Sequence, residues 1–187
     1  FLDREAYVAD PDYINVPIEG LISKEYAKER AKLIDPDQAS ELFKAGDPWV
    51  FQTTKNKKGS YNRSGTLVTE QEDTTCFVVA DQWGNAVCQL QSLQSAWGSS
   101  LVAGDTGILL NNRMTYWHLD ANHVDCLRPG KRVRHTMNPV MVTRGGNLYL
   151  VLGTPGADTQ VQSNMQVLSH IIDFGMTLSE AIDAPTC

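Results

Sequence analysis

The sequence predicts an α+β fold, and three observations carry the prediction. Two β-hairpin patterns stand in the second half of the chain, at about residues 74–88 and 140–152. A stretch with Val161, Met165, Leu168 and Ile172 at 3–4 spacing follows the second hairpin and reads as a helix on its sheet. Nowhere do strands and helices alternate in the βαβ order of a parallel sheet.

Residues 1–20 read as irregular, with a turn at Asp10-Pro11-Asp12 and helix disfavoured at Pro17. Ser23 is a helix N-cap ahead of Tyr26, Ala27 and 31–33, and Asp35-Pro36-Asp37 ends that helix. A short second helix fits Gln38 to Lys44. From Gly46 to Glu72 the chain is polar and glycine-containing, with a basic run at Lys55–Lys58, and reads as a flexible lead-in.

Phe77, Val78 and Val79 carry strand bias, Asp81–Asn85 is a turn, and Ala86-Val87-Cys88 returns. Residues 94–100 form a small-residue loop, and Gly107–Asn112 reads as a short buried strand. Thr115–Lys131 is irregular. The second hairpin turns at Gly145-Gly146 and leads into Gly153-Thr154-Pro155-Gly156, then a helix over Gln160–Phe174 closed by Gly175 at its C′ position. Thr177 with Glu180 forms a capping box for a last helix.

Composition narrows the function. With 42% apolar and 20% charged residues, the 187-residue chain is globular rather than disordered. A net charge of −6 argues against a nucleic-acid partner. No apolar run is long enough to span a bilayer. The four cysteines include no Cys-x-x-Cys pair, and Cys76 and Cys88, on opposite arms of the first hairpin, read as two buried thiols rather than a disulfide. His118, Asp120, His123 and Asp125 lack the spacing of a metal site and read as loop polar residues. Gly153–Gly156 is neither a P-loop nor a dinucleotide fingerprint, although a strand-to-helix glycine turn suits an oxyanion. No cofactor or metal is expected. The first residues carry neither a signal peptide nor an initiator Met, so the sequence is expected to begin inside a longer protein.

Several stretches together resemble the γ-glutamyltransferase (γ-glutamyltranspeptidase) family. They are Thr74–Asp81 with Trp83–Val87, then Gly107–Met114, then Pro129–Arg132 through Met137-Asn138-Pro139, then Gly153–Gly156. Residues 1–45 resemble, more loosely, the end of that family's large subunit. The resemblance implies an N-terminal-nucleophile hydrolase with an αββα four-layer sandwich, of which this chain is part. Residues 46–73 would lead into an autocleavage site at Asp73–Thr74, and 74–187 would form a small subunit truncated at its C-terminus. Thr74 would be the nucleophile and its freed α-amine the base. Ser92 would be the supporting hydroxyl, and Gly156 and Ala157 the oxyanion donors. Partners would be a small-molecule amide substrate and the remainder of the large subunit, in a heterodimer after processing.

The substrate clamp departs from the family pattern. Gln94 stands where γ-glutamyl-cleaving members have Asn. Arg113 and Tyr116 replace their Gln and Asp, and His135-Thr136 replaces the Ser-Ser pair that holds the α-carboxylate. This set is similar to the acylase-like, cephalosporin-acylase-type branch. Two alternatives stay open: γ-glutamyl transfer with Arg113, His135 and Thr136 as a different carboxylate clamp, and an inactive paralogue or fragment serving as an interaction module.

Overall fold

A computed structural model describes residues 1–39, 44–53 and 72–186. The helix expected over Gln38–Lys44 falls partly outside them, and its described ends, Gln38 and Lys44, are not helical. Most of the 46–73 lead-in, with Lys55–Lys58, also lies outside. The chain divides into two compact units, Phe1–Val68 with Met114–Arg134, and Thr69–Arg113 with His135–Cys187.

The first unit is more regular than the sequence suggests. Helices α1 (Leu2–Tyr7) and α2 (Ile18–Leu21) occupy a stretch read as irregular. Both are too short to form on local propensity, and tertiary contacts hold them. Gly20 N–H donates to Gln52 Oε1 at 2.9 Å, and Tyr7 Oη donates to the Gly46 carbonyl. Helix α3 (Lys24–Ala31) begins as expected, with Ser23 Oγ accepting from Tyr26 N–H at 3.1 Å. It ends at Ala31, ahead of the Asp35-Pro36-Asp37 stop. Residues 48–51 form a 3-10 turn under α2 and α3, so the start of the supposed lead-in is built structure.

Ala6, Tyr7, Ile14, Tyr26 and Val124 are the apolar core of this unit. Its segment 114–134 is irregular, as expected, but not a loop of solvated polar groups. His123 is 2% exposed and Asp125 3%, and His118 stacks on His123 with centroids 3.5 Å apart. Buried Lys131 donates to the carbonyls of Val124 and Cys126 at 2.7 and 3.2 Å, and Arg134 pairs with Glu5 at 2.7 Å. Asp10 accepts two side-chain bonds and a backbone bond from Arg132, which hold its carboxyl far below the ordinary carboxylate range.

The second unit contains two antiparallel hairpins, β1 (Glu72–Ala80) with β2 (Ala86–Ser95) and β3 (Val140–Arg144) with β4 (Asn147–Leu152). Strand β2 runs into the stretch read as a loop, which begins only at Ala96. The second hairpin turns on Gly145 and Gly146 at φ 57° and 84°, a left-handed pair that matches the strand twist. Gly107–Asn112 is not a buried strand. It makes only an isolated bridge, Val102 to Leu109, and Ile108 is 63% exposed. Helix α4 (Gln160–Ile172) stops two residues earlier than read, with Asp173 as C-cap and Gly175 left-handed beyond it. The capping box of Thr177 and Glu180 opens α5 (Leu178–Asp183), which packs on α4. No helix among the described residues is long and apolar enough to cross a membrane.

A Cβ on Gly20 would stand 2.0 Å from the Pro48 carbonyl oxygen, with backbone on both sides of the contact. Gly20→Ala in the full-length protein should therefore lower stability by about 1–3 kcal/mol, read as a fall in thermal midpoint. An unchanged midpoint would remove this contact from the account of the first unit.

Candidate active site

Thr74 lies on β1 with Ser92 directly across the ladder on β2. Its Oγ1 donates to Ser92 Oγ at 2.9 Å, and the backbone N–H of Gln94 donates to the same oxygen at 3.0 Å. The contact depends on an irregularity in the sheet. Asp73 pairs with Gln94 and Thr74 with Ser92, so Leu93 is the extra residue of a bulge on β2 opposite the Asp73–Thr74 bond. Gln94 takes the strain, with φ 77° in a residue that is 2% exposed. Such a left-handed backbone costs a non-glycine residue about 1–2 kcal/mol, and bulges of this kind re-aim side chains beside functional groups.

Asn112 holds the bulge from outside. Its N–H donates to the Leu93 carbonyl at 3.1 Å, its Oδ1 accepts from Ser95 N–H at 3.0 Å, and its Nδ2 donates to Ser95 Oγ at 2.7 Å. The sequence placed Asn112 in a motif without giving it a task. Its signal was the Asn-Asn pair itself, since two amides after a short apolar run offer side-chain bonds to a neighbouring backbone.

The glycine turn after β4 reaches the same strand. Residues 157–159 form a 3-10 turn that lies against β1 and runs into α4. Gly156 has φ 120° and Ala157 φ 50°, so the alanine keeps a conformation that suits glycine. Thr159 N–H and Oγ1 both donate to the Gly156 carbonyl, at 2.8 and 2.7 Å. The carbonyl is thereby turned into the helix start. The first N–H groups of such a turn have no intrahelical acceptor and carry the positive end of the helix dipole.

A second group forms around Arg113. Its Nη1 donates to Thr136 Oγ1 at 2.9 Å, and both residues are 7% exposed. His135 Nδ1 accepts from Met137 N–H at 3.1 Å. Partial burial, and then the Arg113 cation, push His135 below the ordinary histidine range. Asn138 ties this segment to α4, where Asn164 Nδ2 donates to its Oδ1 at 2.6 Å. Sequence reasoning did not find this amide pair.

Thr74, Ser92 and Gln94 are thus one connected set, and Arg113, His135 and Thr136 another. Tyr116 belongs to the first unit, where its ring is nearly buried with the Arg134 guanidinium 4.6 Å from its centroid. No cluster of three or more metal-ligating side chains occurs among the described residues.

Hairpins and helices in one chain make this an α+β protein, with a strand-borne threonine bonded to a serine and a left-handed loop beside it. Over 99% of its length the chain is similar to cephalosporin acylase from Bacillus halodurans, with TM-score 0.77, 34% identity and 30% of that chain covered. It is also similar to the glutathione hydrolase proenzyme of Bacillus subtilis (strain 168), at 34% identity over 99% of this chain and 31% of that protein. A glutathione hydrolase-like proenzyme, YwrD, from the same organism is 37% identical over the same shares. The profile of the gamma-glutamyltranspeptidase family matches residues 1–187. The chain belongs to the gamma-glutamyltranspeptidase family, and it spans about a third of the length of the curated relatives it matches, 31% in each case.

A depressed His135 makes stability rise with pH in the window just below the ordinary histidine pKa of about 6.5, where only the unfolded chain binds the proton. Arg113→Met removes the cation and should move the His135 titration, followed by NMR, up toward that value. A titration that does not move would mean Arg113 does not act on His135.

Proposed function

We propose that the protein containing this chain is an autoprocessing amidohydrolase and acyltransferase that uses Thr74 as an N-terminal nucleophile. The observation that carries the reading is the 2.9 Å bond from Thr74 Oγ1 to Ser92 Oγ, beside a bulge centred on the proposed scissile bond. Family membership and relatives named as proenzymes support it.

Before cleavage the Thr74 nitrogen is an amide and cannot act as a base. Attack of Oγ1 on the Asp73 carbonyl carbon transfers the acyl group from nitrogen to oxygen, and water then cleaves the ester. Asp73 leaves as a carboxylate and Thr74 is left with a free α-amine. An α-amine titrates near 7.7–8.0, so at neutral pH a useful fraction is unprotonated and can take the proton of its own hydroxyl, directly or through one water. In turnover the same oxygen attacks the substrate amide. The developing oxyanion is held by the N–H groups of Gly156 and Ala157, and the leaving amine takes a proton. Water or a second amine then removes the acyl group from Thr74.

The substrate is a γ-glutamyl or related acyl amide, with Gln94, Arg113, His135 and Thr136 in the acyl-recognition set. Arg113 favours an acyl group that ends in a carboxylate. It brings a permanent cation to the position of a family glutamine and aims it at Thr136. The four-layer αββα sandwich, the division into large- and small-subunit segments, and the processed heterodimer belong to the same proposal. The outer face of the first hairpin supports them. Phe77 is 48% and Val79 58% exposed, an apolar face of the kind another layer covers.

Turnover of γ-glutamyl, glutaryl and uncharged acyl anilides by the full-length protein separates the substrate readings. Thr74→Ala should leave the precursor uncut and abolish turnover, and Ser92→Ala should slow both steps roughly 100-fold. Normal turnover by Thr74→Ala would refute the mechanism. An uncut, inert wild-type precursor would favour the interaction-module alternative.

A further inference from the structure

Cys76 and Cys88 take no part in the chemistry above. Cys76 is opposite Leu90 and Cys88 opposite Val78, so the two lie diagonally on one face of the hairpin. Both are free and half-buried. Cys88 Sγ donates to the Leu152 carbonyl at 3.3 Å. Gly153 closes over them. A Cβ there would stand 2.8 Å from Cys76 Sγ, 3.0 Å from Leu90 Cδ1 and 3.3 Å from Cys88 Sγ, so the loop lies directly against both thiols. Gly153 is the first residue of the turn that ends in Gly156 and Ala157. The same strand face carries Thr74, two residues before Cys76, and Ser92.

We propose that Cys76 and Cys88 form a two-sulfur site for a soft, thiophilic d10 ion of the monovalent copper class, and that its occupation displaces Gly153 and the turn that follows it. Two features select this ligand over oxidation to a disulfide or over zinc. Diagonal neighbours in an antiparallel pair have Cα atoms about 7–8 Å apart, beyond the reach of a disulfide without backbone movement, whereas a sulfur–metal–sulfur bridge is longer. A soft ion displaces the proton through the strength of its bond to sulfur. Zinc needs four ligands, and no third His, Cys, Asp or Glu joins the pair among the described residues. One Cu(I) and two thiols give a bis-thiolate complex and two released protons, with no change of oxidation state.

Gly153 lies against both sulfurs, so an ion held by them on that side presses on the loop. Binding stands on the thiol geometry alone, and its effect on turnover rests on the proposed function. The two are therefore read separately. The full-length protein is titrated anaerobically with Cu(I) held by a chromophoric chelator. Wild type should withdraw one Cu(I) that Cys76→Ser and Cys88→Ser withdraw at least tenfold less tightly, while Cys126→Ser matches wild type. Bound copper should lower wild-type turnover several-fold, reversibly on adding excess chelator, and leave Cys88→Ser unaffected. Should either variant fail to fold, copper should protect both thiols of the wild type from iodoacetamide in peptide maps. Equal copper withdrawal by wild type and Cys88→Ser, or unprotected thiols, overturns the site. Full turnover in the copper-loaded protein overturns the loop coupling. A wild type that binds copper but never turns over substrate overturns the proposed function and leaves the site standing.

Discussion

The second unit is organised around one short contact, the Thr74 hydroxyl on the Ser92 oxygen at 2.9 Å. A regular ladder would continue past Thr74 in step. Here Leu93 is inserted, Gln94 is forced to φ 77°, and its N–H is delivered to Ser92 Oγ. Ser92 thereby gathers two donors on one oxygen. The cost of the left-handed backbone, about 1–2 kcal/mol, is offset by the Asn112 bonds to Leu93 and Ser95 that pin the bulge. Ala157 repeats the pattern at φ 50°. Two non-glycine residues in a disfavoured region, one on each side of the proposed reaction centre, are what a preorganised site looks like.

The parts of the fold that obey local rules were legible. Gly145-Gly146, the Ser23 cap and the Thr177–Glu180 box announce a turn and two helix starts through side-chain chemistry within four residues. Helices α1 and α2 were not legible, because their support comes from residues far along the chain, such as Gln52 beneath Gly20. Ile108 and Leu110 misled in the opposite direction. An apolar run reads as buried strand, yet both side chains are exposed, and the segment earns its place by backbone bonds to Ser99, Leu101 and Ala103.

The site divides in the same way. No propensity marks Thr74, which is an ordinary strand residue. It stood out through a family pattern spread over the chain, and the structure then put Ser92 across from it. The bulge was not legible, since neither Leu93 nor Gln94 is a residue that signals one. Arg113 and Thr136, 23 positions apart, were named separately as departures and turned out to be bonded to each other. Their pairing joins two of the departures, and burial and then the Arg113 cation hold His135 below the ordinary histidine range. The proposed nucleophile belongs to the bulged hairpin, and the Arg113–Thr136 pair stands apart from it.

The most direct test of the central claim is peptide mapping of the full-length protein after reaction with an electrophilic acyl-amide analogue. The account predicts one adduct, on the hydroxyl of a peptide whose first residue is Thr74 with a free α-amine. An adduct on another residue, or a Thr74 still joined to Asp73 in protein that turns over substrate, would contradict it.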